Sequence, residues 1–317
     1  MSKSPLNSES VRPYRTDLEP NLFSLMRQAR GFDYEGALGV GPGEGESEGE
    51  SEGEGREIGV GVGQSLFWPG CSLASYSQEL VEAVSAFLQD RGLIDGISIA
   101  CCGKILRYAC GYAFYRDFTE QLAARLIEQG VRRIITGCPN CFLTFRRMLR
   151  HTPEQDAIEL IDLSTVLADE GLRITPEASE ATGISAEHGG ASLCYCIHDS
   201  CPDKGLNVIG PAVRKLFSEV ELCEMKHNQD HTRCCGIGKL QYITKPKESE
   251  RLRAERIQEF RETGADQLVT CCCSCTNAFQ DPSSGVAAVH YLELLFGIRI
   301  DWDAVYQSSE QALKSFS

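Results

Sequence analysis

The chain has 317 residues, a length that suggests about two domains. It is 42% hydrophobic, enough to bury a core, and its 31 basic against 45 acidic residues leave a net charge of −14, which argues against a nucleic-acid partner because phosphate backbones call for clustered Lys and Arg. No run approaches the roughly 18 apolar residues of a spanning helix, and the polar start from Met1 to Pro20 has no apolar centre of a signal peptide, so a cytoplasmic protein without a transmembrane segment is expected.

Residues 1–63 read as a polar, largely disordered N-terminal region, with one weak apolar patch at Leu22, Phe23, Leu25 and Met26 that is compatible with a short helix and to which no role is given. Within it, residues 41–57 carry seven Glu against one Arg, a composition that buries too little to offset chain entropy. From Gln64 onward, short apolar runs alternate with amphipathic stretches, the pattern of α/β architecture. A strand is expected at Ser65–Trp68, a helix at Ser77–Gln89 and a strand at Ile97–Ala100 leading into Cys101-Cys102-Gly103. A helix at Phe114–Gln129 and a strand at Arg133–Thr136 follow, and Cys138 begins the next turn. A second pass then runs through a strand at Ala191–Ile197, a helical stretch at Val213–Phe217 and a strand at Val220–Glu224 before Cys234-Cys235-Gly236. It closes with a long helix at Ser249–Glu262, a strand at Gln267–Thr270 and a turn beginning at Cys272.

The two passes form an internal repeat. Cys71 lies over Cys201, Cys101 over Cys234 and Cys138 over Cys272, at offsets of 130, 133 and 134 residues. The fold class is therefore α/β with two similar tandem domains, 64–171 and 190–300, joined by a Gly, Ala, Ser and Glu-rich linker near 172–190.

Sixteen cysteines in a chain that is neither short nor exported read as metal or redox ligands rather than as a disulfide scaffold. Each repeat carries C, then CCG, then CxxC, and all ten of these cysteines fall at or just after expected strand ends, where α/β folds gather functional loops. Structural zinc takes four ligands, usually from two CxxC-type knuckles. Here each repeat offers five cysteines, two of them adjacent with diverging side chains, which suits an extended iron–sulfur cluster better than one small ion. A zinc-stabilised scaffold and metal-free redox thiols are the weaker alternatives.

Two copies of C…CCG…CxxC resemble the cysteine-rich CCG-domain family, typified by a component of heterodisulfide reductase. Pro69-Gly70-Cys71-Ser72-Leu73 is similar to the family's opening motif, His198-Asp199-Ser200-Cys201 to its HDPC, and Gly137-Cys138-Pro139-Asn140-Cys141 to its closing CPxC. The resemblance implies an α/β fold and, in each repeat, an unusual 4Fe–4S cluster split into two lobes that share ligands. Site one would be Cys71, Cys101, Cys102, Cys138 and Cys141; site two would be Cys201, Cys234, Cys235, Cys272 and Cys275, with His198 able to donate to a cluster sulfur. Ser200 stands where HDPC has Pro, and Cys271, Cys272 and Cys273 compete for one ligand role. The function implied is that of an iron–sulfur oxidoreductase subunit that takes electrons from an iron–sulfur or flavoprotein partner and passes them to a substrate such as a disulfide. The alternative within the family is an electron-transfer subunit of a flavin-dependent hydroxy-acid dehydrogenase of the glycolate, lactate or glycerol-3-phosphate type. No catalytic residue is assigned.

The remaining candidates receive ordinary roles. Cys110, Cys194, Cys196 and Cys223 lie in or beside apolar stretches and are expected in the core. His290, His227 and His231 are expected at the surface or at helix caps. Gly59–Gly63 and Gly236-Ile237-Gly238-Lys239 lack the dinucleotide and phosphate-loop spacings, so no flavin, NAD or nucleotide site is expected on this chain.

Overall fold

A computed structural model describes residues 22–34, 64–152, 157–176, 193–280 and 284–314. The expected disorder of 41–57, the Gly59–Gly63 run and most of the linker, 177–192, lie outside the described residues.

Repeat one builds β1 (Gln64–Trp68), α2 (Cys71–Tyr76), α3 (Gln78–Asp90), β2 (Gly96–Ile97), α4 (Leu106–Ala109), α5 (Tyr112–Glu128), β3 (Val131–Thr136), α6 (Pro139–Leu149), β4 (Glu159–Asp162) and α7 (Leu163–Asp169). Repeat two builds β5 (Cys194–His198), α8 (Ile209–Leu216), β6 (Glu221–Leu222), α9 (Gln241–Thr244), α10 (Pro246–Thr263), β7 (Gln267–Thr270), α11 (Cys273–Ala278), β8 (Val289–His290) and α12 (Tyr291–Phe296). One helix precedes them, α1 (Leu22–Ala29), and one follows, α13 (Trp302–Lys314).

Each repeat forms a four-stranded sheet, in the orders β2-β1-β3-β4 and β6-β5-β7-β8, and every pairing is parallel. The two sheets thus share one topology, the physical counterpart of the sequence repeat. Local signals set the helix ends. The Ser77 hydroxyl accepts the Leu80 N–H at the start of α3, Pro139 and Pro246 open α6 and α10, and Gly264 closes α10 with a left-handed backbone. The edge strands β2 and β6 are shorter than the apolar runs suggest, because each has a ladder on one side only. β4, β8, α12 and α13 were not anticipated from the sequence; the first two are short edge or near-edge strands.

Side-chain alternation along the central strands divides the molecule into three cores. Phe67, Ile135, Tyr195, Ile197 and Val269 enter one core shared by both repeats. Leu66, Trp68 and Ile134 pack with α5 and α6 in repeat one, while Cys196 and Leu268 pack with α10 and α11 in repeat two. The two repeats are therefore joined through a common apolar layer rather than strung on a linker. Within the N-terminal region expected to be largely disordered, Leu22–Ala29 is helical, and Met26 is buried in the shared core beside α13 and α2.

Candidate metal centre

The strand-to-helix turns deliver the cysteines. Cys71 opens α2 after β1, Cys138 caps α6 after β3 with Cys141 one turn in, and Cys272 caps α11 after β7 with Cys275 in the same relation. Cys201 opens a single 3₁₀ turn with Pro202, which takes up the bend that Ser200 leaves to it. The CCG elements are held from behind: the Gly103 N–H donates to Cys101 Sγ at 3.4 Å and the Gly236 N–H to Cys234 Sγ at 3.3 Å.

The ten cysteines form one continuous line of thiol contacts. In repeat one it runs Cys71, Cys101, Cys102, Cys141, Cys138. In repeat two it runs Cys201, Cys234, Cys235, Cys275, Cys272. The lines join where Cys138 meets Cys272. Adjacent cysteines do face apart: Cys101 turns to Cys71 while Cys102 turns to Cys141, and Cys234 and Cys235 repeat the pattern with Cys201 and Cys275.

The crowded run at 271–273 is sorted by alternation. Val269, Cys271 and Cys273 point into the shared core, whereas Leu268, Cys272 and Cys275 fall in the repeat-two core. Cys272 alone of the three touches other cysteines of the set, and burial pushes the thiols of Cys271 and Cys273 well up.

Protons are unevenly held along the line. Hydrogen bonds from Cys201, Cys235 and the Gly236 N–H pull Cys234 down to about 2. Cys138 and Cys275, with backbone N–H groups of α11, hold Cys272 well below the usual thiol range. Their donors rise in turn: Cys235 is raised first by its bond to Cys234, and Cys275 by its bond to Cys235. In repeat one, Cys102 reaches about 12 through its bond to Cys101.

All ten cysteines line a single cavity of about 590 Å³ between the repeats. Lining side chains from the two halves bond to one another. Asn140 Nδ2 donates to Cys272 Sγ at 3.7 Å while its Oδ1 accepts from Lys104 Nζ. Ser72 and Ser274 hydroxyls meet at 3.5 Å, and Asn277 donates to the Tyr76 hydroxyl at 3.2 Å. Leu22, Phe23 and Met26 of α1 also line the cavity, as do Lys239 and Arg253. Sequence reasoning gave neither the short helix α1 nor Asn140 a role at this site; the one available signal was the apolar spacing at Leu22, Leu25 and Met26.

His198 lies beneath the second set. A ring nitrogen sits within 4.8 Å of the Cys235 and Cys275 sulfurs, Arg256 Nε donates to its Nδ1 at 3.3 Å, and Nε2 has no partner. Burial and the nearby Arg256 push His198 down to about 3, so it is neutral. Arg256 is fixed by Glu259 at 2.7 Å and the His227 carbonyl at 2.9 Å.

The remaining candidates divide. His290 is a helix cap, closing a capping box with Glu293 at α12, and His227 pairs with Glu259 at 2.7 Å. Cys110 and Cys196 pack against apolar neighbours. Cys194 and Cys223, expected as free core thiols, are instead joined in a disulfide, because pairing of β5 with β6 brings their Cα atoms within 6.3 Å.

Five soft donors per set, an adjacent pair facing opposite ways and a buried unpartnered N–H donor fit an iron–sulfur group; a tetrahedral zinc site would leave a sulfur over in each half. Matched cysteine sets on two α/β repeats mark a cysteine-rich protein of iron–sulfur type. The cysteine-rich domain family called CCG matches residues 65–146 and 195–280, and the chain belongs to it. Lactate utilization protein A of Macrococcus caseolyticus is 28% identical over 203 residues, covering 62% of this chain and 80% of that protein. Lactate utilization protein A 1 of Bacillus mycoides is 34% identical over 182 residues, covering 55% and 70%. A component of the dihydromethanophenazine:CoB--CoM heterodisulfide reductase of Methanosarcina barkeri is 26% identical over 233 residues, covering 68% of this chain and 53% of that component. No helix among the described residues is long and apolar enough to cross a membrane.

Proposed function

We propose that this chain is an electron-transfer oxidoreductase subunit that holds a 4Fe–4S-type cluster in each repeat and acts on a substrate bound between them. The ligands would be Cys71, Cys101, Cys102, Cys138 and Cys141 in one half, and Cys201, Cys234, Cys235, Cys272 and Cys275 in the other. The observation that carries this reading is the single cavity bordered by all ten cysteines, with the two sets meeting at Cys138 and Cys272. When bound, such clusters supply one-electron chemistry, and two of them can together deliver the two electrons that a disulfide requires. The chain's own residues hold and separate the sulfurs, tie the two repeats together through the Ser72–Ser274 and Tyr76–Asn277 contacts, and offer Lys104, Lys239 and Arg253 to an anionic substrate.

A second reading keeps the clusters and makes the chain a relay from a flavoprotein that oxidises a hydroxy acid. It is favoured by the lactate utilization relatives. Both readings require an electron-donating iron–sulfur or flavoprotein partner. Anaerobic purification with iron, sulfide and zinc analysis and EPR tests the shared part: about eight irons with matching sulfide are expected for two 4Fe–4S sites, and zinc without sulfide overturns it. Stopped-flow mixing of the reduced protein then divides the two. Reoxidation by a low-molecular-weight disulfide supports the first, whereas inertness to disulfides with rapid reduction by a lactate-oxidising flavoprotein supports the second.

A further inference from the structure

Beneath matched cysteines, the two repeats are chemically unlike. Trp68 ends β1 and His198 ends β5, each three residues before the first cysteine of its set. Each ring meets the equivalent phenylalanine edge-on, Trp68 with Phe145 at 4.8 Å and His198 with Phe279 at 5.0 Å. Each buries a ring nitrogen without a partner, Trp68 Nε1 and His198 Nε2. Trp68 shares its core with Cys102 and Cys141, the counterparts of the Cys235 and Cys275 that flank His198. Leu122, in the same core as Trp68, and Arg256, bonded to His198, hold equivalent positions, each eight residues before the left-handed glycine that closes its long helix, Gly130 or Gly264. Both are buried. A Trp–Leu pair in repeat one has become a His–Arg pair in repeat two.

The hydrogen bond between Arg256 and His198 determines where the imidazole proton lies. A guanidinium nitrogen can only donate, so Nδ1 must be the bare acceptor and the ring's one proton sits on Nε2. Phe279 and the anchored guanidinium hold the ring in place. A protonated Nε2 cannot ligate iron; it can donate to a thiolate or sulfide sulfur, and burial leaves it no water to use instead. Glu259 offsets much of the charge on Arg256, so the lever is the directed N–H, strengthened because donor and acceptor polarise one another along the chain of bonds.

We propose that Arg256 is a positioning residue that locks His198 as an Nε2–H donor to sulfur at the second cysteine set, making site two the higher-potential site where transferred electrons collect. This rests on the reading of one cluster per repeat. Hydrogen bonds to sulfur favour the reduced cluster, and repeat one offers an indole N–H with no second donor behind it. Electrons therefore pass from site one to site two.

The test has two parts. In the metal-free full-length chain with ¹⁵N-labelled histidine, long-range ¹H–¹⁵N spectra should show His198 with bare Nδ1 and protonated Nε2, and Arg256→Leu should lose that single-tautomer pattern. In the iron-loaded protein, potentiometric EPR should find two midpoint potentials. Arg256→Leu should lower the higher one alone, and Arg256→Gln, which keeps a donor to Nδ1, should restore it. The double variant Arg256→Leu/Glu259→Leu, which leaves no buried charge unpaired, should reproduce the single variant's shift if that variant folds poorly. A proton on Nδ1 in the wild type overturns the inference, as does Arg256→Leu with full iron and unmoved potentials. Loss of half the iron from His198→Trp also overturns it, because His198 would then be a ligand. Absence of iron and sulfide from the wild type would instead mark failure of the cluster reading, and the tautomer spectra would still decide the lock.

Discussion

Replacing Gly236 by alanine should damage the second site through the backbone. Gly236 has φ of +90°, a conformation that costs an L-residue about 1–3 kcal/mol. Its added Cβ would stand 2.3 Å from the Ser249 carbonyl oxygen and 3.1 Å from the carbonyl carbon. Ser249 lies in α10 and its hydroxyl already donates to the Gly236 carbonyl at 2.9 Å, so neither segment can retreat alone. Overpacking of this kind adds about 1–3 kcal/mol. The sum, roughly 2–6 kcal/mol, should appear in urea unfolding of the metal-free chain as a midpoint lowered by about 1 M or more. Displacing Gly236 also withdraws its N–H from Cys234 Sγ, so the iron-loaded variant should hold about half the wild-type iron. The counterpart Gly103→Ala meets a side chain instead, with the Phe118 ring 2.4 Å from the added Cβ. Phe118→Leu should therefore relieve Gly103→Ala, with a coupling of about 1–2 kcal/mol in a double-mutant cycle. A Gly236→Ala protein within about 0.5 kcal/mol of wild type and with full iron would refute the steric argument.

Cys272→Ser should remove the iron of site two, whereas Cys271→Ser and Cys273→Ser should keep it and lose about 1–3 kcal/mol from burying an unsatisfied hydroxyl; iron analysis with thermal unfolding of the three variants separates them. Burial lifts Asp162 from 3.8 to about 7. The native state then binds more protons than the unfolded chain between those values, so stability falls as pH rises through that window and levels off above it. Asp162→Asn keeps the cap of α7, and should flatten this slope and be more stable than wild type above neutral pH by up to about 4 kcal/mol, as read by urea midpoints across pH. Thiol titration of the denatured, unreduced, metal-free chain should count fourteen thiols, rising to sixteen after reduction. Opening the Cys194–Cys223 bond, which closes a loop of 29 residues, should lower stability by about 3–4 kcal/mol.

What sequence alone determined about this protein follows from covalent order. Spacing revealed the repeat, the alternation of strands and helices and the cysteines that follow β1, β3, β5 and β7, because periodicity and turn chemistry act over a few residues. Cys234 and Cys235, expected just after a strand end, lie instead in a loop twelve and thirteen residues beyond β6. The long elements fell within a few residues of their observed places, as at Gln267–Thr270 and Gln78–Asp90. Tertiary structure decided the rest. Alternation predicts that Cys271 and Cys273 share a face opposite Cys272, but which face meets the sulfurs depends on how two sheets share one core. The Cys194–Cys223 bond depends on β5 lying beside β6, and α1 has a role only once α13 and the cavity exist to receive it. Arg256 stands 58 residues from His198, in a helix whose sequence reads as an ordinary charged surface. Only packing that helix on its sheet turns one of its arginines inward, where a buried donor must find an acceptor.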